Sequence, residues 1–118
     1  MGEKLPVLNI KSGEILFSEG DSSSQMYFLK SGKMKAVKKH ANKDVELGTI
    51  IEGELLGEVS FFDKKPRTAT VIAIEDCDLA IIPSEKFQKI FDDLPSWYQA
   101  LTVTLIKRIR RTDEDLCT

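Results

Sequence analysis

The sequence predicts a mainly β fold, a sandwich or barrel of short strands, followed by C-terminal α-helices. Three observations predict it. Gly13, Gly20, Gly32, Gly48, Gly53 and Gly57 punctuate the first half and more of the 118 residues. Between and after them lie short runs of Val, Ile, Phe, Tyr and Thr, side chains that pack well on a pleated, half-buried surface. After Pro83 the apolar residues take up a helical spacing.

In chain order, Ile15-Leu16-Phe17 is the first such run. It leads into Glu19-Gly20-Asp21-Ser22, a turn in which glycine tolerates positive φ and the Asp and Ser side chains bond back to the backbone. Met26-Tyr27-Phe28-Leu29 follows, ended by Ser31-Gly32. The stretch Lys38-Lys39-His40-Ala41-Asn42-Lys43-Asp44 is polar enough to form a hairpin tip. Val45-Glu46-Leu47, Thr70-Val71-Ile72-Ala73-Ile74 and Leu79-Ala80-Ile81-Ile82 complete the strand signals. Ser84 then caps a helix in which Phe87, Ile90, Phe91 and Leu94 share a face. Pro95 interrupts it. Ser96 with Gln99 has the spacing of a capping box, so a second helix starts there. Trp97, Leu101, Leu105 and Ile109 form one stripe on that helix, which predicts its docking face. Val103 and Ile106 lie outside the stripe. Two readings stay open for them: a second partner surface, such as another copy of the same helix in a homodimer, or a helix that is buried more widely.

At this length one domain is expected, spanning 1–118. Hydrophobic content of 42% and charged content of 31% suit a globular protein. A net charge of −2 argues against a surface built to hold nucleic acid. No apolar run is long enough to cross a bilayer, and MGEKLPVLNI lacks the pattern of a signal peptide. Cys77 and Cys117 lack metal-site spacing and read as free thiols in a reducing cytosol. His40, the only histidine, falls in the hairpin tip, so a multi-histidine metal site is excluded and no cofactor is implied. There is no nucleophile elbow and no P-loop. Lys107-Arg108-Ile109-Arg110-Arg111 suits the negative end of a helix, and Asp113, Glu114 and Asp115 follow at once. No DNA-binding unit is expected after it. A free-standing module and a piece of a longer protein both fit.

The stretch GEVSFFDKKPRTATV, residues 57–71, carries the functional signal. A helical turn around Ser60-Phe61-Phe62 would leave backbone N–H groups free to meet an anion. Arg67, just after Pro66, can grip a phosphate with paired hydrogen bonds. The N–H groups of Thr68 and Ala69 can add to that cradle. Glu58 would repel a phosphate but can accept from a neighbouring hydroxyl. A nucleotide or sugar phosphate fits this set. On spacing alone, a Glu58–Arg67 salt bridge closing a loop explains the residues equally well.

Gly57-Glu58-Val59-Ser60 followed by Pro66-Arg67-Thr68-Ala69 resembles the phosphate-binding cassette of cyclic-nucleotide-binding domains. The segments 11–21, 26–32 and 76–79, together with Phe87, resemble the same family, so the likeness covers nearly the whole chain. It implies a double-stranded β-helix, a jelly-roll-like β-roll, over 1–83, with the cassette at 57–71 and C-terminal helices serving as a lid at 84–116. It implies that Arg67 pairs with the cyclic phosphate and that Glu58 accepts from the ribose 2′-hydroxyl. Backbone groups of Gly57, Val59, Ser60, Thr68 and Ala69 complete the cradle, and Leu47 and Gly48 meet the purine. Thr112 matches a lid residue that contacts the adenine amino group in the catabolite activator subfamily, where the helix also pairs across a dimer. The implied function is that of a non-enzymatic sensor for cAMP, favoured over cGMP, acting on an effector not encoded in these residues. The rival is a β-roll kept for protein–protein contact. Leu56 and Ser60 depart from the family's usual Phe and Ala.

Overall fold

The structure, a computed structural model, describes residues 5–22 and 25–116, without the side chains of 63, 110 and 112–116. Its strands are β1 (Val7–Ile10), β2 (Ile15–Phe17), β3 (Met26–Ser31), β4 (Lys33–His40), β5 (Lys43–Ile51), β6 (Leu55–Leu56), β7 (Thr70–Ala73) and β8 (Cys77–Ile82). Helix α1 (Glu58–Asp63) lies between β6 and β7, and α2 (Ser84–Asp92) and α3 (Ser96–Leu116) follow β8. Two four-stranded antiparallel sheets, ordered β1-β8-β3-β6 and β2-β7-β4-β5, form the roll. Period-two alternation sends Leu29, Met34, Leu56, Val71, Ala73 and Leu79 between the sheets.

Three strands escaped the sequence reading: β1, β4 and the two-residue β6. Val7–Ile10 pairs with Cys77 to Ala80 of β8. Lys33–His40 is a full strand despite four lysines, because only Met34 and Ala36 need face inward and its outer face can stay charged. The hairpin tip is correspondingly narrower than 38–44. Pairing continues to His40 opposite Lys43, and only Ala41 and Asn42 turn, both left-handed at φ 53° and 64°. That is the pattern of a two-residue hairpin turn whose twist matches its strands.

The helices also correct the expectations. Ser84 is the first helical residue, preceded by Pro83, and makes no capping bond. Gln99 caps the wrong end for a capping box. Its Nε2 donates to the carbonyls of Phe91 (3.0 Å), Asp92 (3.2 Å) and Leu94 (3.0 Å), closing the end of α2. Ile90 is exposed, while Phe91 is buried. On α3 the expected docking face is reversed. Trp97 is 68% exposed and Leu101 and Leu105 about half exposed, whereas Ile106 is 6% exposed. At about 100° per residue Ile106 stands opposite Trp97. Gln99 lies on the Ile106 side, so its three bonds turn that side inward, where α3 packs on α1.

Candidate functional site

The site grows out of a backbone position that disfavours a side chain. Gly57, between β6 and α1, has φ 85°, a region costly to residues with a Cβ. A Cβ there would also lie 2.7 Å from Arg67 Nη1 and 2.8 Å from the Gln25 carbonyl oxygen. The α1 helix is a turn and a half long and ends at Lys64, also left-handed, at φ 59°. The chain then passes Pro66 into Arg67, whose main chain is fastened to the turn after β2. The Arg67 N–H donates to Asp21 (2.8 Å) and the Arg67 carbonyl accepts from Gly20 (2.9 Å).

With its backbone fixed, Arg67 turns its side chain inward until only 3% of the residue is exposed. Nη1 donates to the Gly57 carbonyl at 3.0 Å and Nη2 to the Gln25 carbonyl at 2.6 Å. The guanidinium carbon lies 4.2 Å from the centre of the Phe17 ring. The Nε–H is buried and has no partner among the described residues. Burial pulls the pKa of the guanidinium below its ordinary value, opposed by Tyr27, Asp21 and Glu58. The group still stays charged in any ordinary solution. Glu58 is held above its ordinary 4.5, chiefly by burial and also by Glu54, against the pull of its own backbone N–H and Arg67. Among the described residues no ion pair joins Glu58 to Arg67; the guanidinium rests on carbonyl groups instead. The loop-closing salt bridge is therefore not the arrangement the chain adopts.

A cavity of about 220 Å³ opens beside these groups. It brings together Leu47, Gly48, Gly57, Glu58, Val59, Ser60, Arg67, Thr68 and Ala69, all singled out in the sequence. The side chain of Thr112 lies outside those described. The sequence reading missed Phe17, Thr49 and Ile109, which also line the cavity. Ile109 arrives from α3, and its place in the apolar stripe was the available signal. Phe17 carried none, because its role depends on where β2 meets Arg67. A buried cation with a spare donor, a carboxyl group biased towards protonation and apolar walls suit a monoanion carrying a hydroxyl. Among the described residues no cluster of His, Cys, Asp and Glu could hold a metal.

The comparisons with known proteins agree with this geometry. The description "Cyclic nucleotide-binding domain" matches residues 7–93, so the chain belongs to that family. It is 30% identical over 105 residues to the cyclic AMP receptor protein of Thermus thermophilus, covering 88% of this chain and 49% of that one. The EAL enzyme Bd1971 in its cAMP-bound form superposes with a TM-score of 0.87 at 29% identity, over 93% of this chain and 29% of that one. Its cGMP-bound form gives 0.85, also at 29% identity, over 93% and 30%. The chain spans about half the length of the receptor protein, and in Bd1971 the matching segment is a minor part of a longer enzyme. Among the described residues no helix is long and apolar enough to cross a membrane.

Proposed function

We propose that this chain is a cyclic-nucleotide sensor, with cAMP favoured over cGMP, that performs no chemistry itself and reports ligand binding to an effector. The observation that carries the reading is Arg67: a buried cation with no described carboxylate partner and an unsatisfied Nε–H, beside a cavity shared with Glu58. In this account Arg67 takes the cyclic phosphate and Glu58 the ribose 2′-hydroxyl. The first N–H groups of α1, near Val59 and Ser60, and those of Thr68 and Ala69 complete the cradle. Leu47 and Gly48 wall the purine, and α3 closes over it, with Ile109 at the cavity and Thr112 as an adenine contact. The preference for cAMP rests on the receptor relative. Thr68, on the cavity wall, is the residue through which a syn guanine would compete.

The division into a roll over 1–83, a cassette at 57–71 and a lid over 84–116 gives the signal a route. Phe61 and Phe62 of α1 meet Phe87 and Phe91 of α2 at centroid distances of 5.0–5.9 Å. Drawing the cassette onto a phosphate would shift this cluster, and with it α2 and α3. The shift needs tighter binding to the closed state than to the open one. If α3 also joins two copies, the exposed stripe through Leu101 and Leu105 supplies the seam, since Ile106 is already buried. No direct DNA contact is required of these residues, and a cytoplasmic setting suits the ligand. Titration calorimetry with cAMP and cGMP tests the reading. Saturable heat, stronger for cAMP, is expected. Silence at millimolar concentrations of both would favour a protein-binding scaffold.

A further inference from the structure

We infer that Phe17 is a positioning residue for the phosphate site: its ring holds the Arg67 guanidinium flat and buried, ready for an anion, by stacking beneath it. This deepens the reading of the cavity as a cyclic-phosphate site and rests on that reading only for the affinity effects below.

The buried Arg67 cation carries a cost. Taking a guanidinium out of water is unfavourable unless something replaces the lost solvation. Among the described residues only two of its five N–H hydrogens meet carbonyl acceptors, those of Gly57 and Gln25. Its Nε–H has no partner among them. Without further support the side chain would gain by swinging out to water. The face of Phe17 is that support. It presents the negative side of the ring quadrupole to the cation at 4.2 Å, and this attraction grows as water is excluded. A ring over the central carbon lies to one side of the guanidinium, whose N–H donors are arranged around its rim. A ligand phosphate must be met by those donors.

The fold explains why Phe17 can do this. Pairing slips by one residue in β2, where Ile15 faces Ile72 but Phe17 faces Val71. Such an irregularity re-aims a side chain. The turn that follows is the one that binds the Arg67 main chain. A single short segment therefore fixes the arginine by its backbone and by its charge. Phe17 is itself supported across the roll. Its ring stacks on Tyr27 of the opposite sheet at 6.3 Å and 27°, and the Tyr27 hydroxyl donates to the Gln25 side chain at 3.2 Å.

The test replaces Phe17 by mono-, di- and trifluorophenylalanine, which drain the ring face with little change in shape, and by leucine. Affinity for cAMP is read by calorimetry and folding by thermal melts. A graded loss is expected, reaching about tenfold for the trifluoro ring and for Phe17→Leu, with melting nearly constant across the fluorinated series. A flat series in folded protein overturns the proposal, because a ring that only fills space would behave that way. A second arm needs no nucleotide. In the ligand-free chain the Arg67 Nε–H proton should be ring-shifted upfield and slow to exchange with water, and both features should vanish in Phe17→Leu. If they persist unchanged, the stack is not what holds the arginine. Should the unmodified chain bind neither cAMP nor cGMP, the sensor function fails and this second arm alone decides the stack.

Discussion

The segment 57–67 and helix α3 border the same cavity, yet they are held there by different forces. The segment is fixed by backbone constraint and buried charge: a left-handed Gly57, a left-handed Lys64, main-chain bonds from Arg67 to Gly20 and Asp21, and a guanidinium resting on two carbonyls. Among the described residues, helix α3 is fixed by one buried apolar position, Ile106, and by the Gln99 amide on the end of α2, while Trp97, Leu101 and Leu105 stay exposed. The first arrangement demands particular residues. The second demands only an apolar face, and many sequences offer more than one. A site that holds a charge out of water is specified tightly, and a helix held by an apolar face is specified loosely.

Substitutions in each region can sharpen or break this contrast. The largest effect is expected at Ile106, where truncation to Ala should cost about 2–5 kcal/mol of stability in chemical denaturation. A loss under ~1 kcal/mol would mean that α3 is not anchored on this face. Next comes Arg67→Ala, expected to weaken cAMP by at least ~2 kcal/mol in calorimetry. An unchanged dissociation constant would refute its assigned role. Glu58→Gln, which can still accept a hydrogen bond, should cost about 1 kcal/mol of affinity.

Glu58 also carries a pH signature. Burial above all raises its pKa from 4.5, so the folded chain takes up this proton earlier as pH falls. Affinity for a hydroxyl that donates to the carboxylate should therefore weaken as pH drops through the raised value, and Glu58→Gln should flatten that slope. Stability of the free chain runs the other way. It should decline as pH rises from 4.5 through the raised value, a penalty absent in the Gln variant. The smallest effect belongs to Leu101→Gln, expected to change monomer stability by less than ~0.5 kcal/mol. If copies pair along the exposed stripe, sedimentation should show the dimer weakened by this substitution. A dimer of undiminished strength would place the seam elsewhere.

The same contrast explains what the sequence made legible. The mainly β architecture was readable because short apolar runs and glycine turns report local geometry, and its form as a β-roll came from the resemblance. That Gly57, Glu58 and Arg67 share one cavity was readable from the resemblance of 57–69 to a family motif, while their spacing alone fitted a salt bridge equally well. Which face of α3 turns inward was not readable, since two apolar sets compete and a distant bond from Gln99 to the end of α2 decides between them. The lysine-rich β4 was hidden because four lysines interrupt its few apolar residues, Met34, Ala36 and Val37. Phe17 was hidden because its partner is 50 residues away in the chain, and only the folded roll brings the ring under the guanidinium.

The most direct test of the account is a crystal structure of this chain grown with cAMP. The account predicts the Arg67 guanidinium within hydrogen-bonding distance of the cyclic phosphate oxygens, still stacked on Phe17, with the Glu58 carboxylate on the ribose 2′-hydroxyl. A nucleotide seated elsewhere, with Arg67 bound only to the Gly57 and Gln25 carbonyls or paired to Glu58, would contradict it.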